Sequence, residues 1–179
     1  MAGTLVLVVG PSGAGKDTLI EAAKAALAGD PHFVFPRRVV TRRAIAALED
    51  HESVTPAEFD RRAANGAYAL HWEAHGLSYG LPATLAADLA AGRVVVCNGS
   101  RAIVGEAQKR FAGTRVFLIG ATMAERAKRL AGRGRESADE IAARLAREVN
   151  AEIAGAVRID NSGDIASGTA RFLEALRAI

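Results

Sequence analysis

The chain has 179 residues, half of them apolar, and a formal net charge of +3. That is enough material for one well-buried core and predicts one domain. No stretch reaches the roughly 18 consecutive apolar residues of a membrane helix, and aromatics at 5% do not supply the basic, aromatic-laced face of a nucleic-acid binder. The single cysteine, Cys97, lies in an apolar run and reads as a reduced, buried thiol of a cytoplasmic protein. The N-terminus carries no basic leader, in keeping with that expectation.

Leu5 to Val9 predicts a strand, and an amphipathic segment from about Asp17 predicts a helix. Between them runs Gly10-Pro11-Ser12-Gly13-Ala14-Gly15-Lys16-Asp17-Thr18, with the GxxxxGK spacing of a P-loop. Glycines there let successive backbone N–H groups turn toward one anion, and the positive end of the helix faces the same point. Lys16 reaches the outer phosphates of a nucleotide as a point charge. A Ser or Thr hydroxyl that would ligate Mg²⁺ is expected after the lysine, yet that position is Asp17, with Thr18 next. Asp17 reads either as a first-turn acid favoured by the helix dipole or as a hard oxygen donor that takes over the metal. Asp17 and Thr18 are therefore the candidate metal ligands.

Further along, Phe33 to Thr41 predicts one strand around Pro36, with Arg37 and Arg38 at its approach and Arg42 and Arg43 at its exit. The chain carries nineteen arginines against four lysines, and four arginines beside a P-loop point to a second anionic ligand. Ala44 to Ser53 reads as irregular, ending in the acidic run Glu49-Asp50-His51-Glu52. Thr55-Pro56-Ala57-Glu58 is a capping box with proline at the first helical position, and its helix closes at Asn65-Gly66. Tyr68 to Glu73 and Leu77 to Tyr79 predict a hairpin turning at His75-Gly76, and Pro82 to Ala91 a helix capped by Gly92. The region 37–82 thus reads as an insert that covers a site. His51, His71 and His75 lack a regular ligand spacing and read as structural or substrate-facing.

Val94 to Cys97 is a continuous apolar strand, as in a parallel sheet buried on both faces. It ends at Asn98-Gly99-Ser100-Arg101, the carboxyl edge where such sheets bind ligands. Many P-loop enzymes hold Mg²⁺ with an acid at that edge; Asn98 stands there, and on the second reading of Asp17 the carboxylate has moved from the strand edge to the P-loop helix. Val116 to Ile119 is a further strand, and Thr122 caps a helix bearing Arg126 and Arg129 that stops at Gly132. Arg133, Arg135 and, beyond a third capping box at Ser137, Arg144 and Arg147 follow. Arginines on both sides of a short glycine-bearing loop, about 132–140, predict a lid over transferring phosphates. Val157 to Ile159 predicts the last strand and Ile165 to Ile179 the closing helix, with Asp160 to Ser162 between them a guess for adenine contacts.

Strands alternating with helices behind a P-loop predict an α/β three-layer sandwich with a parallel sheet. The acceptor-side insert and the arginine lid narrow this to a P-loop NTPase of the nucleoside-monophosphate-kinase type. GPSGAGK, Thr41-Arg42, His75 to Gly80 and the RGRE of Arg133 to Glu136 resemble guanylate kinases along most of the chain. The positions with which that family reads guanine fall on Leu70 and Leu81, and its second phosphate arginine on Ile45. A buried guanine edge left unpaired costs about 1–3 kcal/mol per group, so the resemblance to guanylate kinases does not extend to the base.

A fuller set of motifs resembles another family, the ribose 1,5-bisphosphate phosphokinases. GPSGAGKD, TRR at Thr41, Glu49-Asp50-His51, HWEAHGLSYG from His71, VVVCNGSR from Val94 and RGRE carry it, over about residues 4 to 165. The resemblance implies an enzyme of phosphonate breakdown that makes 5-phosphoribosyl 1-diphosphate from ATP and ribose 1,5-bisphosphate with Mg²⁺. On that basis Lys16, Arg133, Arg135 and Arg144 are the candidate catalytic residues, and Gly10 to Thr18 hold the nucleotide. Arg42, Arg43, Glu49, Asp50, Tyr79, Asn98 and Arg101 are the candidates for the sugar bisphosphate, with Glu49 and Asp50 on its hydroxyls or simply solvated. Another small-molecule kinase, such as a guanylate kinase, and a non-catalytic nucleotide switch remain as alternatives, and the oligomeric state is open.

Overall fold

The structure, a computed structural model, describes residues 2–42, 50–132, 139, 141, 142, 145 and 152–179. The first element is β1 (Thr4–Val9), six apolar or small residues, all but the first fully buried. It occupies the middle of a five-stranded sheet of order β2-β7-β1-β8-β9, formed with β2 (Phe33–Val34), β7 (Val94–Asn98), β8 (Thr114–Gly120) and β9 (Val157–Asp160). Every pairing in it is parallel. An uninterrupted apolar strand suits that place, because successive side chains serve opposite faces. Leu5, Leu7 and Val9 join one core with Val95, Cys97 and Val116, whereas Val6 and Val8 join the other with Val96, Phe117 and Ile119.

On the second face pack α1 (Lys16–Ala26), through Leu19, Ile20 and Ala23, and the closing helix α6 (Ile165–Arg177), through Phe172 and Leu176. The first face carries α3 (Leu85–Ala90), a 3-10 turn at Arg101–Ile103 and α4 (Val104–Arg110). The same core takes in Leu70, Trp72 and Leu81 from a second, four-stranded sheet of order β4-β3-β6-β5. Its strands are β3 (Arg38–Val40), β4 (His51–Ser53), β5 (Tyr68–Ala74) and β6 (Leu77–Pro82), with α2 (Pro56–Ala64) between β4 and β5. The α4 residue Arg110 also donates to the Ala69 carbonyl at 2.5 Å, tying the second sheet to the main body.

Two expectations need correcting. Phe33 to Thr41 is not one strand: it divides at Pro36 into β2, in the main sheet, and β3, in the second. Proline has no N–H for a ladder, so the chain changes sheets there. Nor is the run up to Ser53 irregular at its end, since His51–Ser53 forms β4, parallel to β3. The 3-10 turn and α4 were not foreseen. The capping boxes at Thr55 and Thr122 are present, each hydroxyl accepting the N–H of Glu58 or Glu125. The third, at Ser137, lies outside the described residues.

Candidate active site

The carboxyl ends of β1, β7, β8 and β9 meet where β1 passes into the P-loop, the edge at which parallel sheets leave room for a ligand. Gly13 and Gly15 lie at φ +79° and +90°, in the left-handed region. A Cβ at Gly13 would run into the Arg126 backbone at 2.9 Å, and one at Gly15 into the Asn161 side chain at 2.5 Å. Gly15 is the N-cap of α1, so the open N–H groups of the first turn face the loop's interior. Lys16 donates to the carbonyls of Gly10 and Pro11 at 2.8 and 3.2 Å, which places its ammonium at the loop.

The loop is held from outside by Arg126 and Arg129, which the sequence did not assign to the site, and by Asn161, which it named only as a guess for adenine contacts. From α5 (Met123–Ala131), the buried Arg126 donates to the Ser12 carbonyl at 2.9 Å and Arg129 to that of Ala14 at 3.3 Å. Arg129 also reaches the Asn161 carbonyl at 2.7 Å, and the buried Asn161 amide donates to Ala14 at 2.7 Å. These donors pin the Ser12 and Ala14 carbonyls, while the Ala14 N–H closes onto the Pro11 carbonyl at 3.2 Å within the loop. The available signal was that Arg126 and Arg129 lie three apart and share a helix face, but such a pair reads equally as solvated.

Asp17 sits in the first turn of α1, and its Oδ1 accepts from Asn98 Nδ2 at 2.5 Å and from Arg38 at 3.4 Å. The two positions between which the sequence predicted an exchange of carboxylate are thus in direct contact. Asn98 Oδ1 is buried with no hydrogen-bond partner among the described residues, whereas Thr18 is exposed. A carboxylate beside an unsatisfied amide oxygen is the hard-oxygen chemistry that Mg²⁺ prefers, alongside ligand phosphates. Among the described residues, no three or more His, Cys, Asp or Glu side chains gather as a metal site.

A cavity next to Asp17 is lined by Arg38, Lys24, Asp50, Asn98 and Phe35, among others. Asp50 is anchored there, 2.6 Å from Lys24 and 2.5 Å from Arg37. The Lys24 hydrogen bond holds the Asp50 carboxyl below its ordinary value and raises Lys24 in return. Arg38 also lies over the ring of Tyr79, 5.7 Å from its centre, and Tyr79 stacks on Trp72 at 5.3 Å with 9° between the planes. Leu70 and Leu81, directly paired across β5 and β6, are 1% and 0% exposed and belong to the core.

Of the other predicted site residues, Arg42 lies two positions past the end of β3, after Thr41, and Arg101 is not among the residues lining the Asp17 cavity. Arg101 lines a second cavity of about 590 Å³ with Pro11, Thr122, Asp160 and Ser162. Arg43, Glu49, Arg133, Arg135, Arg144 and Ile45 lie outside the described residues. Cys97 is buried in β7 and its thiol is pushed up to about 12 by that burial, which leaves it unreactive. No helix among the described residues is long and apolar enough to cross a membrane.

No protein-family model matches the chain. A guanylate kinase from Anaplasma phagocytophilum superposes with a TM-score of 0.71 at 23% identity, over 99% of this chain and 86% of its own, which shows the guanylate-kinase-like fold. The ribose 1,5-bisphosphate phosphokinase PhnN of Brucella melitensis is 49% identical over 179 residues, covering 99% of this chain and 93% of the relative. That of Acidiphilium cryptum is 52% identical over 171 residues, covering 94% and 90%. At half identity along nearly the whole of both chains, this chain belongs to the ribose 1,5-bisphosphate phosphokinase family.

Proposed function

We propose that this protein transfers the γ-phosphoryl group of ATP to the 1-phosphate of ribose 1,5-bisphosphate, giving 5-phosphoribosyl 1-diphosphate and ADP. One observation about the acceptor side carries the reading beyond kinship. The cavity beside the P-loop is bordered by Asp17, Lys24, Arg38, Asp50 and Asn98, while Leu70 and Leu81 are sealed in the core. Its charged rim suits a phosphate group, although at about 30 Å³ the pocket has to open to admit a whole sugar bisphosphate, and no polar side chain at those two positions reads a purine edge.

The attacking atom is already an anionic phosphate oxygen, so no strong general base is needed. Positioning and charge neutralisation do the chemistry. The N–H groups at the start of α1 and the Lys16 ammonium hold the nucleotide phosphates, with Arg126, Arg129 and Asn161 fixing the loop. Asp17, with Asn98 beside it, would hold Mg²⁺, which when bound neutralises charge on the phosphate oxygens. Arg42, Arg38 and Tyr79 face the acceptor from the second sheet. Arg133, Arg135 and Arg144, on sequence grounds, would neutralise the transferring group, and removing one should lower the rate on the order of 10³-fold.

An ADP-release assay over a panel of acceptors tests the reading. Turnover is expected with ribose 1,5-bisphosphate. Turnover with guanosine monophosphate and none with the sugar bisphosphate would replace it by a guanylate kinase. Nucleotide affinity without turnover on any acceptor would replace it by a nucleotide switch.

A further inference from the structure

Tyr79 is placed by its neighbours across the second sheet. β6 lies between β5 and β3, so Tyr79 has Trp72 directly opposite it on one side and Val40 on the other. Directly paired residues share a face, as do residues two apart along a strand. Trp72, Tyr79 and Arg38 therefore stand in a row on the face that also carries Leu70 and Leu81. The row runs from core to cleft. Trp72 is 9% exposed and packs in one cluster with Leu70 and Leu81, Tyr79 is partly buried, and Arg38 lines the cavity beside Asp17. The indole and phenol rings lie 5.3 Å apart and 9° from parallel, an offset stack. Among the described residues the Tyr79 hydroxyl takes part in no hydrogen bond, so packing of the ring sets where it points. We infer that Trp72 is a positioning residue for the acceptor: stacked from the core side, it holds the Tyr79 ring so that the hydroxyl meets an acceptor phosphate. This rests on the proposed kinase function and deepens it.

A phenol donates its O–H to a phosphate oxygen, and a bond to an anion is stronger than one between neutral groups. Its strength depends on where the ring already stands, because a side chain held in one rotamer loses less freedom on binding. The core fixes the indole, and the indole gives the phenol ring a flat, rigid wall. An aliphatic side chain at position 72 would keep the core apolar and leave that wall uneven. The Arg38 guanidinium, 5.7 Å from the centre of the phenol ring, is a longer contact near the outer limit of a cation–π interaction. The hydroxyl holds the acceptor before transfer and throughout it, so its loss appears in KM and hardly in kcat.

Trp72→Leu keeps an apolar side chain in the core and removes the stack. In the ADP-release assay its KM for ribose 1,5-bisphosphate should rise about tenfold, with kcat within about twofold of the parent. Affinity for Mg-ADP should also stay within about twofold, which certifies a folded variant. Trp72→Phe keeps a smaller ring against Tyr79 and should raise KM only about threefold. Tyr79→Phe removes the hydroxyl itself and should raise KM about tenfold. Adding Trp72→Leu to Tyr79→Phe should then raise it no further, because Trp72 acts through that hydroxyl. Should Trp72→Leu fail to fold, the same cycle is read on Trp72→Phe, whose effect should vanish beside Tyr79→Phe. A merely structural role for Trp72 would multiply the two effects and weaken Mg-ADP binding alongside. An unchanged KM in the folded Trp72 variants, multiplied effects in the double variant, or equal losses for acceptor and Mg-ADP overturn the inference and spare the kinase reading. Parent protein that does not turn over the sugar bisphosphate removes both.

Discussion

The two sides of the cleft are built by different rules. On the proposed nucleotide side the surface is the backbone of one contiguous loop, held in place by Arg126, Arg129 and Asn161. On the proposed acceptor side it is made of side chains, gathered from α1, β3, β6 and β7 around Asp17. A backbone cradle tolerates changes of its own side chains and fails when its supports go. A side-chain pocket can change its ligand by one substitution, which is how a guanylate-kinase-like fold comes to carry a different acceptor.

The sharpest test of that contrast is Lys16, the P-loop residue whose side chain is proposed to bind. Lys16→Ala should lower kcat/KM on the order of 10³-fold in the ADP-release assay. If the loss were only severalfold, the backbone alone would suffice to hold the transferring phosphates. The boundary between the two sides runs through Asp17 and Asn98, and the next effect is expected there. Asp17→Ala should raise the Mg²⁺ needed for half-maximal activity by about tenfold or more, as loss of a ligating carboxylate does. Asn98→Ala should raise it less, because its amide supports Asp17 and supplies at most a neutral oxygen. Equal shifts in a metal titration would mean that the carboxylate has not taken over the metal.

How much of this could be read in advance follows the same division. Gly10 to Thr18 is a local motif: strand, glycines, lysine and helix are consecutive, so their spacing in sequence is their geometry. Val94 to Cys97 and Leu5 to Val9 were legible for a related reason, because only a doubly buried parallel strand uses an unbroken apolar run. The second sheet was harder. β3 and β4 are three residues each and pair in parallel with a connection between them, and so short a strand carries no periodicity. Arg38 read as one of four arginines beside a strand, with nothing to single it out until the fold set it against Asp17. Asp50 was assigned to ribose hydroxyls or to solvent, and its partners Lys24 and Arg37 are 26 and 13 positions away, distances at which spacing says nothing.

A third prediction probes the support behind the loop. Asn161 is 4% exposed, and its amide donates to the Ala14 carbonyl beside the Gly15 position. Asn161→Ala removes that donor from a closed space and should destabilise the protein by about 1–3 kcal/mol, seen as a lower midpoint in urea. Affinity for ADP should weaken, while acceptor binding measured at saturating Mg-ADP should change little. A variant in which acceptor binding failed first would show that the two sides share their scaffolding more than the contacts indicate.

The smallest effect lies on the acceptor side and depends on pH. The Lys24 hydrogen bond depresses the Asp50 carboxyl below its ordinary value of 3.8. A depressed carboxyl stabilises the fold above the unfolded value, and that contribution is lost as pH falls through the lower, folded one. The window is therefore below about pH 4, and near neutrality the pair contributes in full. Lys24 is shifted upward, so its share is lost only in strongly alkaline solution, above its ordinary 10.5. Both groups are partly exposed, at 40% and 30%, and solvent screening holds the expected stability difference to at most about 1 kcal/mol. Asp50→Asn should accordingly lower stability slightly at pH 7 and by less as pH falls below about 4, as at about pH 2.5. The difference between those two conditions, read from urea midpoints of the variant and the parent, separates the ion pair from any change in packing, because a packing loss would persist in acid. Activity adds the second half of the test. If Asp50 does no more than brace Lys24 and Arg37, KM for the sugar bisphosphate should rise only a few-fold, whereas a hydroxyl ligand lost outright would raise it far more at unchanged stability.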